Sequence, residues 1–149
     1  MDKDQNCGLL DAVYQTAQSG LKTSEYVRPK AKSFALIDDI NSLRAEYNDV
    51  LRSAERLSRD CGEQPKDNNL LKKAGLWADV NTKLILDSNS EKQAETIIHS
   101  CFNGVLEMTK ALTKYPLAEL ESIELARRLK EASRHAIETF MAYLERGKQ

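Results

Sequence analysis

One stretch in the second quarter of the chain constrains the fold more than any other feature. Between residues 36 and 61, apolar side chains recur at steps that alternate between four and three residues. The members of this seam are Leu36, Ile40, Leu43, Tyr47, Val50, Ala54, Leu57 and Cys61. Such spacing places them on one face of an α-helix, as in packed antiparallel bundles. The pattern predicts a long helix over about residues 30–61 with one face in a core.

Four further segments have helical periodicity, and no segment has the sustained two-residue alternation of a β-strand. The predicted helices cover about residues 6–28, 69–87, 90–114 and 117–146. Asn6 and Ser90 are the expected N-caps, and Gln93 completes a capping-box pattern with Ser90. The seams of the three long helices are Leu10, Val13, Ala17, Gly20, Ser24 and Val27; Ala94, Ile98, Cys101, Val105, Met108 and Leu112; and Leu125, Leu129, Ala132, Ala136, Phe140 and Tyr143.

The chain of 149 residues has the length of one domain, with its core between about residues 6 and 146. The four long helices would span about 35–48 Å, and rods of this length form antiparallel bundles. The short third helix, which holds Trp77, can carry the chain across the bundle. The sequence therefore predicts an all-α, ferritin-like antiparallel four-helix bundle with one short extra helix in the crossover.

Charge composition argues against several partners. Lys and Arg number 22 and Asp and Glu number 23, so the net charge is -1 and there is no basic field for nucleic acid. The polar helix faces are mixed in sign, which argues against a membrane-surface helix. No apolar run is long enough for a transmembrane helix, and the N-terminal residues lack the pattern of a secretory signal.

The cysteine pattern predicts a compartment. Cys7, Cys61 and Cys101 are odd in number, and no pair has CxxC spacing. Neither a disulfide framework nor a thiolate zinc site is supported by this pattern. We therefore expect a reducing, cytoplasmic location. Cys61 and Cys101 lie on apolar seams, where a thiol is usually inert, so we expect no catalytic cysteine.

The order of sequence features resembles a ferritin-like family of unknown function. The chain opens with LLDAVYQTAQSG, its long helix ends in RLSRDCGEQP, and NNLLKKAGLWADVNTKLI follows. A helix that contains HSCFNGVLEMTKAL and a closing amphipathic helix complete the pattern, which covers about Leu9 to Leu144. This resemblance implies a four-helix bundle, but it implies no activity.

The wider ferritin-like group includes di-iron proteins, which need Glu-x-x-His motifs on two helices. This chain contains no Glu-x-x-His, and its seams contain no carboxylate. Two weaker candidates are the i, i+4 pairs Glu95 with His99 and Glu131 with His135, which could meet on adjacent helices and bind zinc or another divalent ion. Exposed pairs of this spacing are also common on helix surfaces, so a solvated role is the competing interpretation.

These observations lead to two hypotheses. The first is a non-enzymatic helical bundle without cofactor or catalytic residues, which acts through a protein partner or through self-association. Additional apolar residues flank the seams and can widen the core or form a partner surface, and the first role is the favoured one; these residues are Leu9, Leu21, Ile37, Leu51, Leu76 and Phe102. The alternative is a ferritin-like di-iron oxidase or metal store that holds iron or another divalent metal.

Overall fold

A computed structural model of the protein describes residues 2–62 and 89–146. Within these ranges the chain forms four α-helices and no β-strand: α1 (Lys3–Val27), α2 (Phe34–Leu57), α3 (Ser90–Lys114) and α4 (Leu120–Arg146). The all-α prediction is confirmed. The predicted short helix over residues 69–87, with Trp77, lies outside the described residues.

Helix α1 begins three residues before the predicted cap. Asp2 is the N-cap, and its Oδ1 accepts a hydrogen bond from the backbone N of Gln5 at 3.0 Å. Asn6 is buried instead, and its Oδ1 accepts from the backbone N of Glu119 at 3.0 Å. The prediction that Asn6 caps α1 is therefore wrong, because this side chain connects α1 to the turn between α3 and α4.

Helix α2 is shorter than predicted because Ala31 and Ser33 before it have an extended backbone and a tighter turn follows it. Single 3₁₀ turns occupy Arg28–Lys30 and Arg59–Cys61. Ser33 is the N-cap, and its Oγ accepts from the backbone N of Leu36 at 3.3 Å. The chain leaves this region at Gly62, whose φ of 68° is a conformation that favours glycine.

The starts of α3 and α4 also differ from the prediction. Asn89 rather than Ser90 caps α3, and its Oδ1 accepts from the backbone N of Lys92 at 3.0 Å. Gln93 does not form the capping box, because its Nε2 donates to the carbonyl of Lys30 at 3.1 Å. Helix α4 begins at Leu120, and a turn around Tyr115 precedes it.

Contacts at the two ends of the bundle define the helix directions. Asn6 meets Glu119 at one end, and Lys30 meets Gln93 at the other. The Oη of Tyr143, near the end of α4, donates to Asp39 near the start of α2. Helix α1 packs against α2 and α3, and α4 packs against α3 and α2, and each of these pairs runs antiparallel. Helices α1 and α4 also touch, and they run parallel. Helices α2 and α3 lie on opposite corners and run in the same direction.

The core follows the predicted seams closely on α1 and α2. Every seam residue of α1 is buried, and on α2 only the last two, Leu57 and Cys61, are half-buried. On α3, Gly104 and Ala111 are buried, while the predicted Val105 and Leu112 are half-buried. The α3 seam is therefore rotated slightly toward its small residues, which allow closer contact with the neighbouring helices.

A disulfide joins Cys7 on α1 to Cys61 after α2, with their Cα atoms 5.6 Å apart. The inference that the cysteine spacing does not support a disulfide is therefore wrong. The antiparallel packing of α1 and α2 brings together two positions that are 54 residues apart in the chain. Linear spacing cannot reveal such a contact. Cys101 is the free cysteine among the described residues, and it is buried.

Candidate interaction surface

A small polar cluster lies inside the bundle. The Oη of Tyr47 on α2 lies 2.7 Å from the Oγ of Ser133 on α4 and 3.8 Å from the Sγ of Cys101 on α3. Gly20 on α1 leaves the space that the Tyr47 ring occupies. Gly20 is buried, and so are the side chains of Tyr47, Cys101 and Ser133. The core therefore contains a hydroxyl pair and a thiol where the seam pattern alone indicated only packing.

Burial keeps the ionisable members of this cluster neutral. It raises the pKa of the Cys101 thiol to about 12, although the hydrogen bond with Tyr47 acts in the opposite direction. It also raises the pKa of the Tyr47 phenol well above its usual range, and the neighbouring Cys101 adds to this effect. A thiol reacts as the thiolate, so Cys101 in this environment is not activated as a nucleophile. The cluster is suited to fixing helix positions.

A groove of about 600 Å³ separates α2 from α4. The Arg128 Nε donates to Glu46 at 2.9 Å, and the Tyr143 Oη donates to Asp39 at 2.7 Å. Both contacts bridge α2 and α4, and Asp39, Glu46 and Arg128 lie on the groove wall. Ala132 also contributes to the lining. The small side chain of Ala132 leaves space between α2 and α4. The carboxylates of Asp39 and Glu46 on the groove wall already accept hydrogen bonds from α4.

The two Glu/His pairs that the sequence offered as metal candidates lie on different surfaces of the bundle. The His99 Nε2 lies 3.9 Å from the Glu95 Oε1, and both side chains are more than half exposed. Glu131 accepts from Arg134 at 3.1 Å. Glu131 and His135 line the groove toward α2. The structure does not bring the two pairs together.

No group of three or more His, Cys, Asp or Glu residues in residues 2–62 and 89–146 has an arrangement that could hold a metal ion. No Asp or Glu is among the buried residues of these ranges. The di-iron pattern of ferritin-like proteins therefore does not fit the described residues.

The outward face of α3 carries an exposed stripe with the same spacing as a core seam. We call it the α3 stripe; its members are Glu95, His99, Phe102, Leu106, Thr109 and Thr113. Their steps alternate between four and three residues, so they form one row on the helix. Phe102 is 52% exposed and Leu106 is 51% exposed. Two large apolar side chains therefore lie side by side at the centre of this surface.

The apolar residues that flank the predicted seams do not all have the same position. Leu9 and Leu21 widen the core, which is the favoured role for this group. Phe102 points outward with Leu106 instead. The 4-3 spacing from Glu95 to Thr113 is present in the sequence, but most of its positions are polar, so a search for continuous apolar seams passes over it.

Comparison with known protein families, curated proteins and solved structures identified no match to this chain. In the described ranges, no helix combines the length and apolar character needed to cross a membrane.

Proposed function

We propose that this protein is a non-enzymatic helical bundle that acts through protein–protein contacts, and that the α3 stripe is the surface that makes them. The observation that carries the proposal is the pair Phe102 and Leu106, each about half exposed and adjacent on one outward helix face. Burial of these two apolar side chains against a partner would provide a driving force for association.

The composition of the α3 stripe also supports an interaction surface. Aromatic anchors near the middle of a contact, with polar residues around them, are typical of protein interfaces. Phe102 and Leu106 have this central position, and Glu95 and Thr113 lie toward the two ends of the row. Charged groups at the rim of such a surface contribute orientation more than affinity.

Ferritin-like architecture remains part of the proposal. The two antiparallel pairs, α1 with α2 and α3 with α4, and the parallel direction of α2 and α3 support one crossover between two hairpins. Fold alone does not imply function, so this similarity does not extend to metal chemistry.

The experiment compares the wild type with the variant Phe102→Ser/Leu106→Ser in proximity cross-linking under native conditions. Both changes are at exposed positions, so we expect the variant to stay folded, as circular dichroism would verify. The variant Phe34→Ser is a matched control, because Phe34 is 86% exposed at the start of α2. Loss of a specific cross-linked product only in the α3 variant supports the proposal. Identical products in all three proteins would contradict it.

A cytoplasmic location also remains a prediction, and the Cys7–Cys61 disulfide weighs against it. Glutathione and thioredoxin keep cytosolic thiols reduced, whereas disulfides persist in oxidising compartments. Alkylation of thiols in intact cells, followed by mass spectrometry, distinguishes the reducing cytoplasm from an oxidising compartment. Reduced Cys7 and Cys61 would agree with the cytoplasm, and an intact disulfide would point to an oxidising compartment.

The ferritin-like metal hypothesis has a separate test. It predicts two metal ions per chain after iron loading, as measured by elemental analysis. A folded protein without stoichiometric metal after such loading would contradict it.

A further inference from the structure

We infer that the partner of the α3 stripe is a second copy of the same chain, which packs its own α3 antiparallel against the first. The inference rests on the proposed function, since it names the occupant of that surface. Three features of α3 support it: the register of the stripe, the order of charges along the helix, and the weakness of the contacts that those charges make within one chain.

The register of the stripe is self-complementary. In an antiparallel pair of helices, the two types of seam position alternate opposite one another. If Phe102 packs against Leu106 of the second copy, every other position of the stripe also lies opposite a position of the other type. His99 then lies opposite Thr109 of the second copy, and Glu95 lies opposite Thr113 of the second copy. The two apolar pairs occupy the two-fold axis, which is the arrangement of an isologous interface.

The charge order selects the antiparallel direction. The N-terminal part of α3 carries two acids, Glu91 and Glu95, and one base, Lys92, and is negative by one charge. The C-terminal part carries two bases, Lys110 and Lys114, and one acid, Glu107, and is positive by one charge. In a parallel pair, the acids of one chain would lie beside the acids of the other, and the lysines beside the lysines. Like charges at an interface are unfavourable. Antiparallel pairing sets the acids of one chain beside the lysines of the other. Lys110 precedes Thr113 by one helical turn, so its long side chain can reach Glu95 of the second copy.

Contacts within one chain do not prevent this pairing. Glu95 lies 3.9 Å from His99, and Lys110 Nζ lies 3.9 Å from Glu107. The side chains of Glu95 and Lys110 are 53% and 65% exposed. Exposed pairs of this kind contribute little, so they are readily exchanged for contacts across an interface. The central apolar surface is small, so the dimer is expected to be weak and to form with rising concentration.

A charge-swap experiment tests the inference in the full chain. Sedimentation equilibrium over micromolar to millimolar concentration gives the dimer Kd of the wild type. Glu95→Lys and Lys110→Glu alone each place like charges together twice per dimer, and each should raise the Kd about tenfold. The double variant restores opposite charges and should return the Kd to within about threefold of the wild type.

Matched controls separate this effect from a general change in charge. Glu138→Lys and Arg127→Glu change exposed groups on α4 and should leave the Kd unchanged. Phe102→Ser should raise the Kd, and Phe34→Ser should not.

The outcomes separate the inference from the proposed function. A wild type that stays monomeric throughout, or a double swap that fails to recover dimerisation, would overturn the second-copy inference. The proposed function would survive that result if the cross-linking experiment identified another protein whose capture depends on Phe102 and Leu106. If no product depends on these residues, both the inference and the proposed function fail.

Discussion

The Tyr47 hydroxyl lies 2.7 Å from the Ser133 hydroxyl and thereby connects α2 to α4 inside the bundle. Either oxygen can donate, and both side chains are buried. A buried hydroxyl without a partner costs more than a hydrogen bond adds, so the two groups depend on each other. Because Gly20 provides the space for the ring, this relationship also involves α1.

Loss of the Tyr47 hydroxyl should destabilise the fold. We expect Tyr47→Phe to lower the free energy of unfolding by about 1–2 kcal/mol, since Ser133 then loses this partner. In a double-mutant cycle with Ser133→Ala, measured by urea denaturation, the losses should be less than additive by about 1 kcal/mol. Tyr14→Phe is the control, because the Tyr14 hydroxyl accepts from Gln18 on the same helix. Strictly additive losses would contradict a direct contact.

Gly20→Ala should be strongly unfavourable even though alanine is the better helix former. A Cβ at Gly20 would lie 2.7 Å from the Cδ2 of the Tyr47 ring, which is buried and held by its hydroxyl contact. Overpacking of this type costs about 1–3 kcal/mol, and the Cε2 of the ring is even closer to the added Cβ than the Cδ2 is. We therefore expect a cost toward the upper end of this range, which outweighs the helix-propensity gain of about 1 kcal/mol. Thermal unfolding monitored by circular dichroism measures the difference.

Two companion variants make the Gly20 prediction specific. Gly104→Ala should destabilise less, because its nearest added contact is the Ser133 Oγ at 3.0 Å. In a Tyr47→Leu background the additional effect of Gly20→Ala should shrink, since the ring is gone. An effect of the same size in that background would mean that the ring is not the cause.

The disulfide should contribute substantially to stability. It links positions 54 residues apart, and the chain-entropy relation for a loop of this size gives about 4 kcal/mol. Cys7→Ser/Cys61→Ser should therefore lower the Tm by roughly 8–16 °C. Calorimetry with and without reductant measures this change, and in reductant the wild type should approach the variant. An unchanged wild-type Tm on reduction would refute the prediction, and Cys101→Ser should preserve the response to reductant.

Stability should fall at alkaline pH because of the buried thiol. Cys101 has an ordinary pKa of 9.0 and a folded-state pKa of about 12, so the unfolded chain loses this proton first. The contribution of the Cys101 thiol to the free energy of unfolding is therefore fully present below about pH 9. It is lost as the pH rises toward 12, with a limiting slope of roughly 1.4 kcal/mol per pH unit. Tyr47 acts in the same direction, because its pKa is also raised.

The variant Cys101→Ser isolates the thiol contribution. Its decline between about pH 9 and 10.5 should be shallower than that of the wild type, although Tyr47 still titrates. Rapid urea unfolding at each pH measures both proteins before disulfide exchange can proceed. Parallel pH curves would contradict the role assigned to Cys101.

Helix content and most of the core could be predicted because they depend on local periodicity. The row from Leu36 to Ala54 identifies the inward face of α2 wherever its neighbours lie, and every residue of the α1 seam is buried. Helix ends were less predictable, since several polar side chains near each end can act as caps. Asp2 replaced Asn6, and Asn89 replaced Ser90.

The α3 stripe could be predicted only in part from the sequence. Phe102 is an apolar residue outside the predicted seams, but its exposure depends on how far α3 rotates against α1 and α4. That rotation follows from close packing at Gly104 and Ala111, which are buried in place of Val105 and Leu112. The α3 stripe therefore required coordinates, although its spacing was present in the sequence.

Residue order alone specifies an all-α chain with long helices that bury one face each, because a 3.6-residue repeat links residue order directly to helix faces. The packing of the helices against one another places Cys7 against Cys61 and Tyr47 against Ser133, and it leaves Phe102 outside the core. Each of these facts depends on the relative rotation and translation of separate helices. Those quantities arise from side-chain packing between distant segments, and no local repeat specifies them.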